Sequence, residues 1–320
     1  MTIPNSPHSL PAAGPAPLAP LALALAPLEG YNLTALSSVR LLRSNRPLAR
    51  TPVLYDPGIV IVCQGCKRGY FGQRIYVYDA QQYLAVSVPV PFTMQTEASA
   101  ESPLLALYLH LDFPLAAELM LEIDRHGGAS SSVAPQSMMS SPMDAAMHLS
   151  VQRLLQGLAN PMEATILGPQ LLRELYYRIL TGPQGPTLRS ALAMQGRFGK
   201  IGKALQRIHA SYSEALDVNR LAQEAGMSTP SFHSHFKAVT CTSPMQYLKS
   251  TRLHQARLLM VQDGMTAGAA CHAVGFESTS QFNREFKRLF GLTPAKEAQR
   301  MRDSFALPRR APDAMYVSSH

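Results

Sequence analysis

The sequence predicts an α+β chain, a β-barrel-like domain with helices followed by an all-α domain. Three observations carry this. Residues 53–112 alternate apolar and polar side chains with turn residues every eight to twelve positions, as antiparallel strands do. From Met143 onward the apolar spacing becomes helical. Between Ala222 and Pro294 one pattern occurs twice.

The repeat is the most informative feature. Ala225-Gly226-Met227-Ser228 leads to Phe232, Phe236-Lys237 and Ser243-Pro244, and Val274-Gly275-Phe276-Glu277 leads to Phe282, Phe286-Lys287 and Thr293-Pro294. The offset is a constant 50 residues from the phenylalanines onward, so a supersecondary unit has been duplicated. Each copy reads as helix, glycine turn and second helix, the form of a helix-turn-helix. Asp217 is placed to cap the helix ending at Ala225, Ser228 and Ser278 to cap the second helices, and Pro230 falls where a missing N–H costs little. Phenylalanines at i and i+4 must face a core. His233 and Ser234 are then left outward on the first copy, and Thr279, Ser280, Gln281, Asn283 and Arg284 on the second; Pro230, Lys237 and Lys287 are counted with them as DNA-binding candidates. Gln, Asn and Arg pair bidentately with adenine or guanine edges, which makes Arg284 the strongest candidate. Residues 247–262 read as one connecting helix with an apolar seam through Leu248, Arg252-Leu253, Ala256 and Leu259. Such a spacer, holding the reading helices about 34 Å apart, would let one chain enter two successive major grooves of double-stranded DNA. Residues 199–302 hold 14 Lys/Arg against 7 Asp/Glu, nearly all of the chain's net +8, and a basic surplus confined to one domain points to a polyanion.

The barrel is read from its strands. Ile59, Ile61 and Cys63 share one face; Gln64-Gly65, Gly72-Gln73 and Asp79-Ala80 supply turns; residues 74–78 and 83–88 are further strands. Leu105, Leu107, Leu109 and Leu111 line one face of another, leaving Tyr108, His110 and Asp112 on the other. A Ser/Met-rich loop is expected at 130–141, helices at 143–158 and 167–180, and a break at Gly182-Pro183-Gln184-Gly185-Pro186. The helices are expected to dimerise the chain or to pack on their own barrel. Residues 10–28, rich in Ala, Leu and Pro, read as part of a disordered tail, too interrupted by proline to target or span a membrane. Four cysteines are too few for a secreted disulfide framework, so a cytoplasmic setting is expected.

Cys63-Gln64-Gly65-Cys66 has dithiol spacing, and Lys67 and Arg68 beside Cys66 could favour its thiolate, so Cys63 and Cys66 are candidate thiol sensors; a core cysteine beside an incidental thiol is the simpler reading. One such pair is half a zinc site, and His110 is the only histidine between His8 and His126. A barrel metalloenzyme fused to a DNA-binding domain is the alternative from another class; it needs clustered ligands that this pattern lacks, so no catalytic residue, metal or cofactor is expected.

Residues 201–302 resemble the AraC/XylS family of regulators, through Ala273-Val274-Gly275-Phe276, Ser280, Phe282, Arg284, Phe286-Lys287, Phe290-Gly291 and Thr293-Pro294. The front half resembles the cupin-like AraC-type sensor domain, through residues 52–57, Gln64-Gly65 with Lys67, Tyr76, Tyr78-Asp79, Tyr83-Leu84, 86–89 and 172–182. The resemblance implies a one-component regulator in which both reading helices enter grooves, with a small-molecule effector, contact with RNA polymerase if it activates, activation expected ahead of repression, and homodimerisation as an option. Two departures stand out: Cys241 occupies a usual glycine position, and Gly268 would weaken a helix interior by about 1 kcal/mol. The expected boundaries are a tail at 1–45, the sensor with its helices at 46–185, the DNA-binding domain at 199–302 and a tail at 303–320.

Overall fold

The computed structural model describes residues 17–127 and 133–304. A seven-residue helix, α1 (Ala19–Leu25), precedes nine strands: β1 (Gly30–Leu33), β2 (Val39–Ser44), β3 (Leu48–Tyr55), β4 (Gly58–Gln64), β5 (Cys66–Phe71), β6 (Arg74–Asp79), β7 (Gln82–Val86), β8 (Val90–Glu97) and β9 (Leu104–His110). After α2 (Phe113–Arg125) comes β10 (Met138–Pro142), then α3 (Ala145–Leu158), α4 (Pro161–Ile166), α5 (Gly168–Thr181) and α6 (Gly185–Leu192). The strands form a six-stranded sheet, β1-β2-β9-β4-β7-β10, and a four-stranded sheet, β3-β8-β5-β6, with all pairings antiparallel.

The six-stranded sheet is covered on both faces, and this explains its unusually apolar strands Gly58–Gln64 and Leu104–His110. Val60, Val62, Ala106 and Tyr108 point into the space shared with the four-stranded sheet, where Tyr55, Tyr78, Phe92 and Met94 meet them. Ile59, Ile61, Cys63, Leu105, Leu107 and Leu109 point the other way, beneath α1, α3 and α5. The layers are therefore sheet, sheet and helices.

Three expectations need correcting. The tail assigned to residues 1–45 is structured from Leu18 onward: Leu18, Ala22 and Ala26 are buried on the outer sheet face, and β1 and β2 extend that sheet. The Ser/Met-rich segment is only partly loop, because its end, β10, pairs with β7 from Met138↔Val86 to Pro142↔Gln82. Asp112 is not a strand residue; it caps α2, its carboxylate accepting from the Leu115 amide at 2.9 Å. The helices expected at 143–158 and 167–180 are α3 and α5, and their apolar stripes pack on their own sheet. Of the expected break, residues 182–184 separate α5 from α6, while Gly185 and Pro186 open α6. Residues 1–16 and the segment 305–320 of the second tail lie outside the described residues.

The helical half runs α7 (Gly196–Ala210), α8 (Val218–Glu224), α9 (Thr229–Thr240), α10 (Pro244–Gln262), α11 (Ala267–Ala273), α12 (Thr279–Phe290) and α13 (Pro294–Ser304). The first helix-turn-helix, α8–α9, belongs to the same apolar cluster as the space between the sheets, while the second, α11–α12, has its own core around Phe276, Phe282, Phe286 and Met260. Three contacts close the junction of the halves. The Tyr247 hydroxyl donates to the Pro89 carbonyl at 3.1 Å, the Ser137 hydroxyl donates to the Val239 carbonyl at 2.6 Å, and the Cys241 sulfur packs directly over Gly72.

Cys241 ends α9 in the left-handed conformation (φ 58°, ψ 11°), where its counterpart Gly291 ends α12 at φ 80°. A Cβ there crowds the following carbonyl, so the departure noted in the sequence carries backbone strain of about 1 kcal/mol. Gly268 costs less than expected: it is the second residue of α11, in the first turn and not the interior. Replacing Cys241→Gly should therefore raise the unfolding free energy by about 1 kcal/mol in a urea titration; an unchanged or lowered value would contradict the strain.

Candidate nucleic-acid interface

Local sequence builds both motifs. The Asp217 carboxylate accepts from the Arg220 amide at 3.3 Å and starts α8; Gly226 (φ 59°) turns the chain into α9. Ser228 stands at the α9 N-cap without a side-chain capping bond, contrary to expectation; Thr229 instead donates from its hydroxyl to Asn219 Oδ1 at 3.0 Å, tying α9 to α8. In the second motif Thr266 caps α11 and Ser278 caps α12, accepting from the Gln281 amide at 3.3 Å. Gly275 (φ 83°) is required twice over, by its conformation and because a Cβ would lie 2.4 Å from the Ser213 carbonyl oxygen.

Phe232, Phe236, Phe282 and Phe286 are all fully buried, each pair with ring centroids 5.5 Å apart. With those rings inward, Pro230, His233, Ser234 and Lys237 are exposed on α9, and Thr279, Ser280, Gln281, Asn283, Arg284 and Lys287 on α12. All ten residues singled out in the sequence therefore lie on two matched exposed helix faces. Charge on α12 is divided: Arg288 pairs with Glu285, which Lys249 of α10 also holds at 3.1 Å, whereas Arg284 and Lys287 have no ion-pair partner among the described residues.

Sequence reasoning missed what locks the two turns. The Lys200 ammonium, from α7, donates to the Gly226 carbonyl at 2.9 Å. Arg252, from α10, donates to the Gly275, Tyr212 and Glu214 carbonyls at 3.0, 2.6 and 2.7 Å. Arg252 had been placed in an apolar seam; its guanidinium fork is instead a staple across three backbone oxygens. The connector is buried nearly all round, and it holds a buried ion pair, Arg257 to Glu297 at 3.4 Å, with the guanidinium 4.3 Å from the Phe290 ring centre.

Comparison with known proteins agrees with this arrangement. Residues 35–187 match the model of the AraC-type transcriptional regulator N-terminus, and residues 221–300 match a helix-turn-helix domain model. The chain belongs to the AraC-type family of transcriptional regulators. The regulator is 31% identical over 103 residues, 32% of its length and 36% of the relative's, to the RCS-specific HTH-type transcriptional activator RclR of Escherichia coli (strain K12). It is 22% identical over 231 residues to the virulence regulon transcriptional activator VirF of Yersinia enterocolitica, covering 72% of this chain and 77% of VirF. Among solved structures, ToxT from Vibrio cholerae strain SCE256, crystallised with an unsaturated fatty acid, superposes with a TM-score of 0.57 at 11% identity, over 84% of this chain and 96% of ToxT; the likeness is one of fold.

The regulator's N-terminal cysteines do not form the activated pair imagined from sequence. Cys63 faces the helices and burial pushes its thiol up to about 12; burial also raises Cys66, more than Arg68 lowers it. Lys67 does not help, because it points to the opposite side of β5, into the space between the sheets. His110 is held down at about 4 by burial and by Arg40, so it is a neutral imidazole 4.0 Å from Asp56. Among the described residues no group of three or more His, Cys, Asp or Glu is arranged to hold a metal ion.

Lys67 is fully buried, its ammonium donating to the Tyr108 hydroxyl at 2.7 Å, and burial draws its pKa from 10.5 to about 7. Between those values the unfolded chain holds a proton that the folded chain lacks, so this group makes stability rise with pH. The difference in unfolding free energy between wild type and Lys67→Met should climb from pH 7 towards pH 10, by at most about 1.4 kcal/mol per unit. A difference that stays flat over this range would show that Lys67 is not titrating as a buried amine.

Proposed function

We propose that the regulator is a one-component, effector-responsive transcriptional activator that grips two successive major grooves of one DNA site. The observation that carries this is the pair of matched exposed faces on α9 and α12, joined by a buried connector that touches both helices. Pro230, His233 and Ser234 read the first groove, and Thr279, Ser280, Gln281, Asn283 and Arg284 the second. Lys237 and Lys287 sit a turn further along each helix and hold phosphates, which fixes register without reading sequence. Activation is supported by the two activators among the relatives and entails contact with RNA polymerase.

The sheet domain is the effector-binding half, a reading supported by the ToxT likeness with its bound fatty acid. Exposed Leu121, Leu149, Met162 and Ile166 on the outer helices support a homodimer. No described helix is long and apolar enough to cross a membrane, and the regulator acts on DNA in the cytoplasm.

A gel-shift titration separates the assigned roles. Arg284→Ala should cost about 1–3 kcal/mol on a selected site and much less on random DNA. Lys287→Ala should weaken both about equally and lower the salt dependence by about one counterion. Equal losses on both DNAs for Arg284→Ala would make it a phosphate contact.

A further inference from the structure

A basic group of the sheet domain stands beside the end of the first reading helix. The hairpin joining β5 to β6 carries Gln73 and Arg74, both exposed, and its Gly72 packs against the sulfur of Cys241, the residue that ends α9. On the other side the Ser137 hydroxyl donates to the Val239 carbonyl of α9 at 2.6 Å, and Gln136 next to it accepts from the Arg74 guanidinium at 3.1 Å. Arg74 is therefore fixed against α9 from two directions. Its charge is felt at the helix end: burial raises the Cys241 thiol, and Arg74 opposes that rise.

Between the hairpin and the helix runs an open cleft of about 600 Å³, with Gln73, Arg74, Gln136, Lys237 and Cys241 among its walls. No carboxylate lines it, and neither Arg74 nor Lys237 has an ion-pair partner among the described residues. Two like charges on one cleft raise each other's energy, and an anion lying along it relieves both. Lys237 indicates which anion, because it shares the exposed side of α9 with His233 and Ser234, so a DNA strand beside that helix passes the mouth of the cleft. Phosphates on one strand recur about every 3.4 Å along the duplex axis, so a strand held at Lys237 presents further phosphates to Arg74. A small dissolved anion would find both cations exposed and hydrated, whereas a phosphate anchored by the groove contacts arrives at high effective concentration. We propose that Arg74 holds a phosphate of the DNA strand that α9 grips, so that the sheet domain itself is part of the DNA-binding surface. This rests on the regulator reading given above and adds to it a contact from outside the helix-turn-helix.

The contact gives the sheet domain a direct hold on DNA affinity. Arg74 reaches the strand only while the hairpin stays seated on α9, with Gly72 against Cys241 and Ser137 bonded to Val239. DNA binding then favours the seated arrangement, and by linkage any change in the sheet domain that lifts the hairpin weakens DNA binding by the same factor.

The test measures binding of the full-length regulator to a selected DNA site and to random DNA by fluorescence anisotropy, over about 50 to 200 mM salt. Arg74→Gln should weaken both DNAs by the same factor and lower the salt dependence by about one counterion, so the wild-type advantage shrinks about three- to fourfold across that range. Arg74→Lys, which keeps the charge, and Gln136→Met, which removes only the hydrogen-bond partner, should both retain the wild-type salt dependence. The proposal is overturned if Arg74→Gln keeps the wild-type salt dependence, or if Arg74→Lys loses as much of it as Arg74→Gln does. Should Arg74→Gln melt below wild type, Gln73→Glu places a negative charge on the same hairpin and should weaken both DNAs more at low salt than at high; binding equal to wild type would overturn the proposal as well. Failure of the wild type to prefer any DNA sequence in a selection sinks the regulator reading itself. A wild type that selects a site, with a salt dependence that Arg74→Gln leaves unchanged, sinks this contact alone.

Discussion

Tyr247 joins the two halves of the chain and packs directly against α9 of the first helix-turn-helix. Its hydroxyl donates to the Pro89 carbonyl of the sheet domain at 3.1 Å and accepts from His209 Nε2 of α7 at 2.7 Å, while its ring meets Phe236 of α9 edge-on at 5.5 Å. One fully buried side chain thus ties the sheet domain, the first motif and the start of the connector. With it, the core between the sheets and the core beneath α9 become a single apolar cluster. In the proposed reading, an event inside the sheet domain would reach α9 through this packing, because close-packed interiors transmit displacement.

The second motif has an apolar core of its own, although α12 also touches β3 of the sheet domain. Its core of Phe276, Phe282, Phe286 and Ala298 is a separate cluster, and its turn is fixed by the Arg252 fork and by Gly275 lying against Ser213. The buried Arg257–Glu297 pair then fastens α13 to the connector. In the proposed reading, α12 is the helix mounted on its own core and α9 the one packed with the proposed effector half. The strained Cys241 cap and its contact over Gly72 stand on the α9 side of that division.

The second half of the fold was the more legible in sequence. Glycine turns, capping residues and phenylalanines at i and i+4 are local rules with fixed spacing, so the duplicated motif and most of its exposed residues could be read directly. Ser228 was misread because capping potential is not capping: Thr229 reached Asn219 instead. The N-terminal segment misled because a seven-residue helix has no local stability of its own; α1 exists because Leu18, Ala22 and Ala26 find an apolar sheet face. β10 likewise lacks strand composition and is set by its register on β7. Lys67 and Arg252 were hidden for the opposite reason. A basic residue reads as solvated until the tertiary structure shows Lys67 enclosed by phenols and Arg252 spread over backbone carbonyls.

Native-state hydrogen exchange on the full chain addresses the coupling through Tyr247 most directly, because it reads which segments open together. The account predicts that amides of α9 and the first turns of α10 share an opening free energy with β4 and β8, that Tyr247→Phe separates the two groups, and that α12 opens on its own in both proteins. Common opening of α9 with α12, independent of the strands and indifferent to Tyr247→Phe, would contradict it.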